Sequence, residues 1–212
     1  HFNNFSELQT LLAQDWSNGG GTFFYDSTKP LVFEKDTVIP GNIQIMSYAV
    51  GQSMLVPAGI TLQSLGYMNM TDVTVEGTMA ATQLYVGGNL TITGRYVNNG
   101  QIRVGDATII TGEENIEFTA PECCLVLAKY FADMTTLKAL LEEVNQYGNS
   151  QKFYVLTCPG SMDITESFAT PFYCDIYFGC SDPSDTVTIK AGCKVMSDAY
   201  MEISSHLVVE GE

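Results

Sequence analysis

Residues 72–120 read DVTVEGTMAATQLYVGGNLTITGRYVNNGQIRVGDATIITGEENIEFTA, and apolar side chains recur there in pairs two positions apart. The pairs are Val73/Val75, Leu84/Val86, Leu90/Ile92, Ile102/Val104 and Ile116/Phe118. Successive side chains of an extended chain point to opposite faces, so each pair sets two apolar groups on one side of a short strand. Gly77, Gly87-Gly88, Gly94, Asn98-Asn99-Gly100, Gly105 and Gly112 separate these strands. Such residues tolerate the positive φ of a sharp bend, so the bends are expected there. Asn-Gly hairpins would account for one or two turns, but strand, bend, strand without long polar loops fits a coil wound on itself. In that coil Val75, Val86, Ile92, Val104 and Phe118 are expected to point into one continuous core.

Outward from this stretch the chain repeats itself. VTVEG at 73–77 returns as LVVEG at 207–211, and FNNFSELQTLLAQDWSNGGGTFFYDSTKP from Phe2 aligns with FADMTTLKALLEEVNQYGNSQKFYVLTCP from Phe131. At one offset, Phe2, Leu8, Leu11, Leu12, Gly19, Phe24, Tyr25 and Pro30 match Phe131, Leu137, Leu140, Leu141, Gly148, Phe153, Tyr154 and Pro159. After small insertions Pro40 meets Pro171, Ala58-Gly59 meets Ala191-Gly192, and Glu76-Gly77 meets Glu210-Gly211. A long internal period of this kind marks repeated structural modules. Each copy opens with a helix. Asn4 or Ser6 caps the first, with Phe5, Leu8, Leu11 and Leu12 as its apolar stripe and Gly19 to Gly21 as its stop. Asp133 or Thr135 caps the second, with Met134, Leu137, Leu140, Leu141 and Val144 as its stripe and Gly148 as its stop.

The pieces FSELQTLL, TVIPGNIQI, VPAGITLQS and VTVEGTM, followed by DMTTLKALL, TVTIKAGCKV and LVVEGE, resemble the opening of right-handed parallel β-helix modules. These modules occur in bacterial surface and secreted proteins similar in fold to pectin lyases. The resemblance implies a mostly β chain, a β-solenoid with short capping helices that cover otherwise open strand edges. It implies little about chemistry. Two tandem modules are expected, residues 1–128 and a second, truncated one at 129–212, with the natural chain continuing beyond. The structural alternative is a pair of antiparallel β-sandwich domains.

Charge narrows the partners. With 24 Asp plus Glu against 9 Lys plus Arg the net charge is −15. That field repels nucleic-acid phosphates and anionic lipid, so neither nucleic acid nor direct membrane insertion is expected. No run of 18 apolar residues exists to span a bilayer. An extracellular or cell-surface location is expected, with any export signal outside this chain.

Motifs that carry chemistry are sparse. Arg95 and Arg103 sit eight residues apart in GRYVNNGQIRVG. They either stack on one face of neighbouring rungs or pair with Asp106, Glu113 or Glu117, and pairing is favoured. His206 lies on the strand SSHLVVEG, where an outward position accounts for it. An Asp-Asp pair, a Gly-His step and Arg-x-Lys are missing, so no catalytic residue is assigned. No calcium loop or C-x-x-C is present, so no metal or cofactor is expected. SDPSD at 181–185 is read as a solvated turn. Cys174 and Cys193 stand where the first copy has Ile43 and Ile60, either as small buried hydrophobes or as a disulfide. In the adjacent pair Cys123-Cys124, alternation turns one side chain in and one out. Tyr67, Tyr85, Tyr96, Tyr173 and Tyr177 lie in strand segments, half or more of them in the core. Any exposed in a row would stack on sugar faces or meet a protein. Asn69-Met70-Thr71 and Asn89-Leu90-Thr91 are sequons that matter only on a eukaryotic secretory route. The function expected is a non-enzymatic extracellular or cell-surface repeat module, adhesin- or stalk-like, displaying a surface to glycan or protein. The alternative is a carbohydrate-active β-helix enzyme, a polysaccharide lyase or hydrolase.

Overall fold

A computed structural model describes residues 1–14, 16, 19–47, 49, 51–179, 182 and 184–210. Half of the chain is strand, and among the described residues the strands wind into parallel β-solenoid turns, about nine in all, with two short helices. Pairings in both halves are parallel, which excludes the sandwich alternative. The chain divides into two compact units, His1–Leu125 and Val126–Glu212.

In the first unit one sheet runs through Gly21–Phe24, Ile43–Met46, Thr61–Met70, Thr78–Val86 and Arg95–Val104, and a second through Leu31–Val32, Ser53–Val56, Asp72–Val75, Leu90–Ile92 and Ile110–Thr111. The registers stack like side chains into columns. Met68, Leu84 and Ile102 form one column, and Met70, Val86 and Val104 the next. Val56, Val75 and Ile92 line the other sheet. All nine are buried, and with the buried Val73 and Leu90 they put four of the five period-two pairs read from sequence in the core. Phe118 departs from the expectation and is only half-buried. Its strand, Ile116–Phe118, pairs with Arg95–Val104 along Tyr96 to Asn98.

The bends work differently from the expected turns. Asn98-Asn99-Gly100 lies inside the strand Arg95–Val104, and the register steps between Asn98 and Gln101. The buried Asn98 amide holds this corner: its Oδ1 accepts from Gly100 N at 3.1 Å and its Nδ2 donates to Cys124 O at 3.1 Å. Of the glycines expected at bends, only Gly112 has a positive φ, 80°. Gly77, Gly88, Gly94 and Gly100 answer to stacking. A Cβ on Gly94 would collide with the carbonyl oxygens of Gly77 and Glu76, and one on Gly100 with that of Thr82, all backbone atoms of the rung beneath.

Helix α1 (Phe5–Leu12) is capped by Asn4, whose side chain accepts from Glu7 N at 2.9 Å. It ends at Ala13, before the glycines expected to stop it. Phe5 packs edge-on against the buried Phe33, ring centroids 5.5 Å apart, and Leu8 is fully buried. In the second unit α2 (Met134–Tyr147) is capped by Asp133, which accepts from Thr136 N at 2.7 Å, and closes on Gly148. Met134, Leu137, Leu141 and Val144 are its buried face.

Those hydrogen bonds from Thr136 hold the Asp133 carboxyl below its usual range. A depressed folded-state pKa means the cap stabilises above the unfolded carboxyl value, about pH 4, and is lost as pH falls through the lower folded value. The amide proton of Thr136 should therefore titrate with a midpoint below about 4. In Asp133→Asn, which keeps an acceptor without a titrating group, it should stay flat. A wild-type midpoint above that value would refute this account of the cap.

The repeated phrases occupy equivalent rungs of their own units. Val73 and Val75 pair with Met54 and Val56, and Leu207 and Val209 pair with Val187 and Ile189. Glu76 N donates to Val56 O and Glu210 N to Ile189 O, each at 2.8 Å. Gly59 and Gly192 both turn at φ 81°. Gly211, the last residue of LVVEG, lies outside the described residues. The match after the helices is looser than the identities suggest. Phe2 N donates to Phe24 O, whereas Phe131 N donates to Thr157 O, four residues beyond Phe153, the match of Phe24. α2 has 14 residues against 8 in α1. Matched letters there do not mark equivalent rung positions. Val187 is 0% exposed, but its rung-mate Leu207 is 49% exposed, because no further strand among the described residues lies on its other side.

Candidate functional site

The outer face of the first unit's long sheet carries a row of polar side chains in strict register. Gln44 stands opposite Tyr67, Tyr67 opposite Gln83, and Gln83 opposite Gln101. One column over, Tyr85 stands opposite Arg103. Period-two alternation dictates this arrangement: Ile45, Met68, Leu84 and Ile102 turn inward, so their neighbours Gln44, Tyr67, Gln83 and Gln101 turn outward. At about 4.8 Å between strands, the row from Gln44 to Gln101 extends about 14 Å across four rungs.

Two hollows lie along this row and share Tyr67 and Gln83. One, of about 340 Å³, is lined by Gln44, Tyr67, Thr82 and Gln83 and floored by Gly41 and Gly66. The other, of about 180 Å³, is lined by Tyr67, Gln83, Tyr85, Gln101 and Arg103. Gly66 in that lining packs directly on the neighbouring rung: any Cβ there would strike the carbonyl oxygen of Ile43. Gln44 accepts from the Thr22 hydroxyl at 3.3 Å, and Gln101 reaches the Cys124 sulfur only at 3.9 Å. The Gln83 amide and the Arg103 guanidinium have no hydrogen-bond or ion-pair partner among the described residues. Among the described residues Arg103 is the one charged side chain in the lining.

The structure sorts the other candidates. Arg95 and Arg103 do not stack on neighbouring rungs, because both lie on one strand with the corner between them. Arg95 pairs with Glu117, the pairing favoured from sequence. Of the tyrosines, Tyr67 and Tyr85 come together on the groove, whereas Tyr96 is core, its hydroxyl buried without a partner and its pKa raised by burial. Tyr173 and Tyr177 are half-buried in the second unit, where Tyr177 contacts Tyr200 at 5.6 Å between ring centroids. His206 is exposed opposite Thr186. In SDPSD, Ser181 and Pro183 lie outside the described residues. Asp182 accepts from Ser184 N and Oγ at 2.8 and 2.7 Å, and these bonds lower its pKa.

Cys174 is buried opposite Tyr154, and burial, then the Asp175 carboxylate, pushes its thiol up to about 12. Cys193 is only half-buried, a departure from the buried reading, and it is not joined to Cys174. Cys123 turns in and Cys124 is half-buried, while Cys180 lies outside the described residues. Asn89 is exposed at a bend, and Asn69 is half-buried opposite Tyr85. Among the described residues no group of three or more His, Cys, Asp and Glu is placed to hold a metal ion, and no helix is long and apolar enough to cross a membrane.

The glutamines were missed from sequence. Their signal was the twice-used phrase Gln83-Leu84-Tyr85-Val86 and Gln101-Ile102-Arg103-Val104, which stacks in register. No protein-family model, curated protein or solved structure matches this chain.

Proposed function

We propose that this chain is a non-enzymatic binding module of an extracellular or cell-surface protein, akin to the β-helix modules of bacterial surface proteins, and that its groove takes a glycan. The observation that carries the reading is the in-register row Gln44, Tyr67, Gln83, Gln101 with Tyr85 beside it. Amides offer a donor and an acceptor on one planar group, the pattern that adjacent sugar hydroxyls complement. Tyrosine adds an apolar ring face with a polar tip. Among the described residues no carboxylate or histidine lines the two hollows, so the paired acid and base that glycosidic cleavage uses are not among the lining residues described.

A polysaccharide panel tests the proposal, read both for retention of the chain and for products. Retention without release of reducing ends or unsaturated uronides is expected. Tyr67→Ala and Tyr85→Ala should each weaken retention about tenfold, near 1.4 kcal/mol. Product release would establish the enzyme alternative instead, and unaltered retention in both variants would move the site elsewhere.

A further inference from the structure

We infer that the groove selects an uncharged, hydroxyl-rich oligosaccharide at least three sugars long, laid along the coil axis so that successive sugars meet successive rungs. This rests on the glycan reading of the same groove and adds the ligand's charge, length and direction.

Direction and length follow from the ladder. Gln44, Tyr67, Gln83 and Gln101 repeat once per rung in a line perpendicular to the strands. A ligand lying along a single strand would meet at most one of the three amides. One lying across the strands meets all three, over about 14 Å. That span asks for three or more sugars in an extended chain.

Charge follows from two observations. Each glutamine presents a carbonyl oxygen that accepts, the one on Gln44 already shared with the Thr22 hydroxyl, as well as an NH2 that needs an acceptor. Hydroxyl groups supply both. Carboxylate or sulfate groups accept only, and would leave the carbonyl half of the ladder unmatched. Desolvating a polar atom without giving it a new partner costs affinity. The long-range field acts in the same sense. The chain carries a net charge of −15, and Arg103 is the one cation among the described lining residues, so an approaching polyanion meets repulsion that a single guanidinium does not offset. Arg103, all donors, serves hydroxyl and ring oxygens at one end of the ladder equally well.

The test titrates the whole chain with cello-, xylo-, manno- and malto-oligosaccharides of two to six sugars, and with oligogalacturonate and heparin fragments of matched length, at 20 and 500 mM NaCl. At least one neutral series should bind, with affinity rising at least tenfold from two sugars to four and then levelling off. Its affinity should change less than twofold with salt, and Gln83→Ala, an exposed change that leaves the melting curve in place, should weaken it fivefold or more. Binding confined to the acidic series, or falling steeply with salt, overturns this inference while leaving the glycan reading standing. A neutral series that binds with no dependence on length, or indifferently to Gln83→Ala, overturns the axial ladder. If no series binds, the glycan reading falls and this inference with it.

Discussion

Val86→Asp should unfold the first unit or lower its stability by about 3–5 kcal/mol, about 10 °C or more in melting temperature. Val86 is fully buried, with Met70 and Val104 directly opposite it on the two neighbouring rungs. A carboxylate there would be surrounded by aliphatic groups with no donor to meet it. A second position on the strand reports on register. Gln83 points outward three residues earlier on the same strand, and Gln83→Asp should stay within about 0.5 kcal/mol of wild type. Thermal and urea melts of the two variants separate the readings. If both are equally mild, the strand does not present its faces as the parallel coil requires.

The second large effect is expected at a glycine that no turn demands. Gly94 has no positive φ, so the usual reason for glycine does not apply. An added Cβ would enter the space held by the Gly77 and Glu76 carbonyl oxygens, and neither backbone atom can rotate away. Gly94→Ala should therefore cost about 2–4 kcal/mol, as overpacking of a rigid contact does. Gly105→Ala is the control. Its nearest neighbour would be Gly87 O at 3.5 Å, an ordinary contact, so the loss should be under about 0.5 kcal/mol. Equal melting temperatures for the two alanine variants would contradict the stacking account of these glycines.

The contrast between those residues shows what could be read in the sequence and what could not. Val73/Val75, Leu84/Val86 and Ile102/Val104 announced the core because burial on one face leaves a local period of two. The two capped helices were also readable, since a cap and its stripe lie within a few residues of each other. Gly94 and Gly100 were found in the right places for the wrong reason. Clash between rungs is a contact between distant residues, such as Gly94 with Gly77, and nothing in the local letters separates it from a turn. Asn98 was taken for a bend between strands because its side-chain amide replaces the missing backbone bonds at a corner within one strand. Phe118 was placed in the core by its period-two pair and Tyr96 only as one of five strand tyrosines, whereas their burial depends on which rungs lie above and below. The groove was hidden for the same reason. An outward glutamine is unremarkable alone, and only the register that sets Gln83 beside Gln101 and Tyr67 makes it part of a row.

The central claim, a ligand read by that row, is tested most directly by the 1H–15N spectrum of the labelled chain titrated with the oligosaccharide it binds most tightly. The side-chain NH2 signals of Gln44, Gln83 and Gln101 should move together, along with the backbone amides of Tyr67 and Tyr85, at one common saturation point. Shifts confined to the second unit or to the face of α1, with the three glutamine signals unmoved, would contradict it.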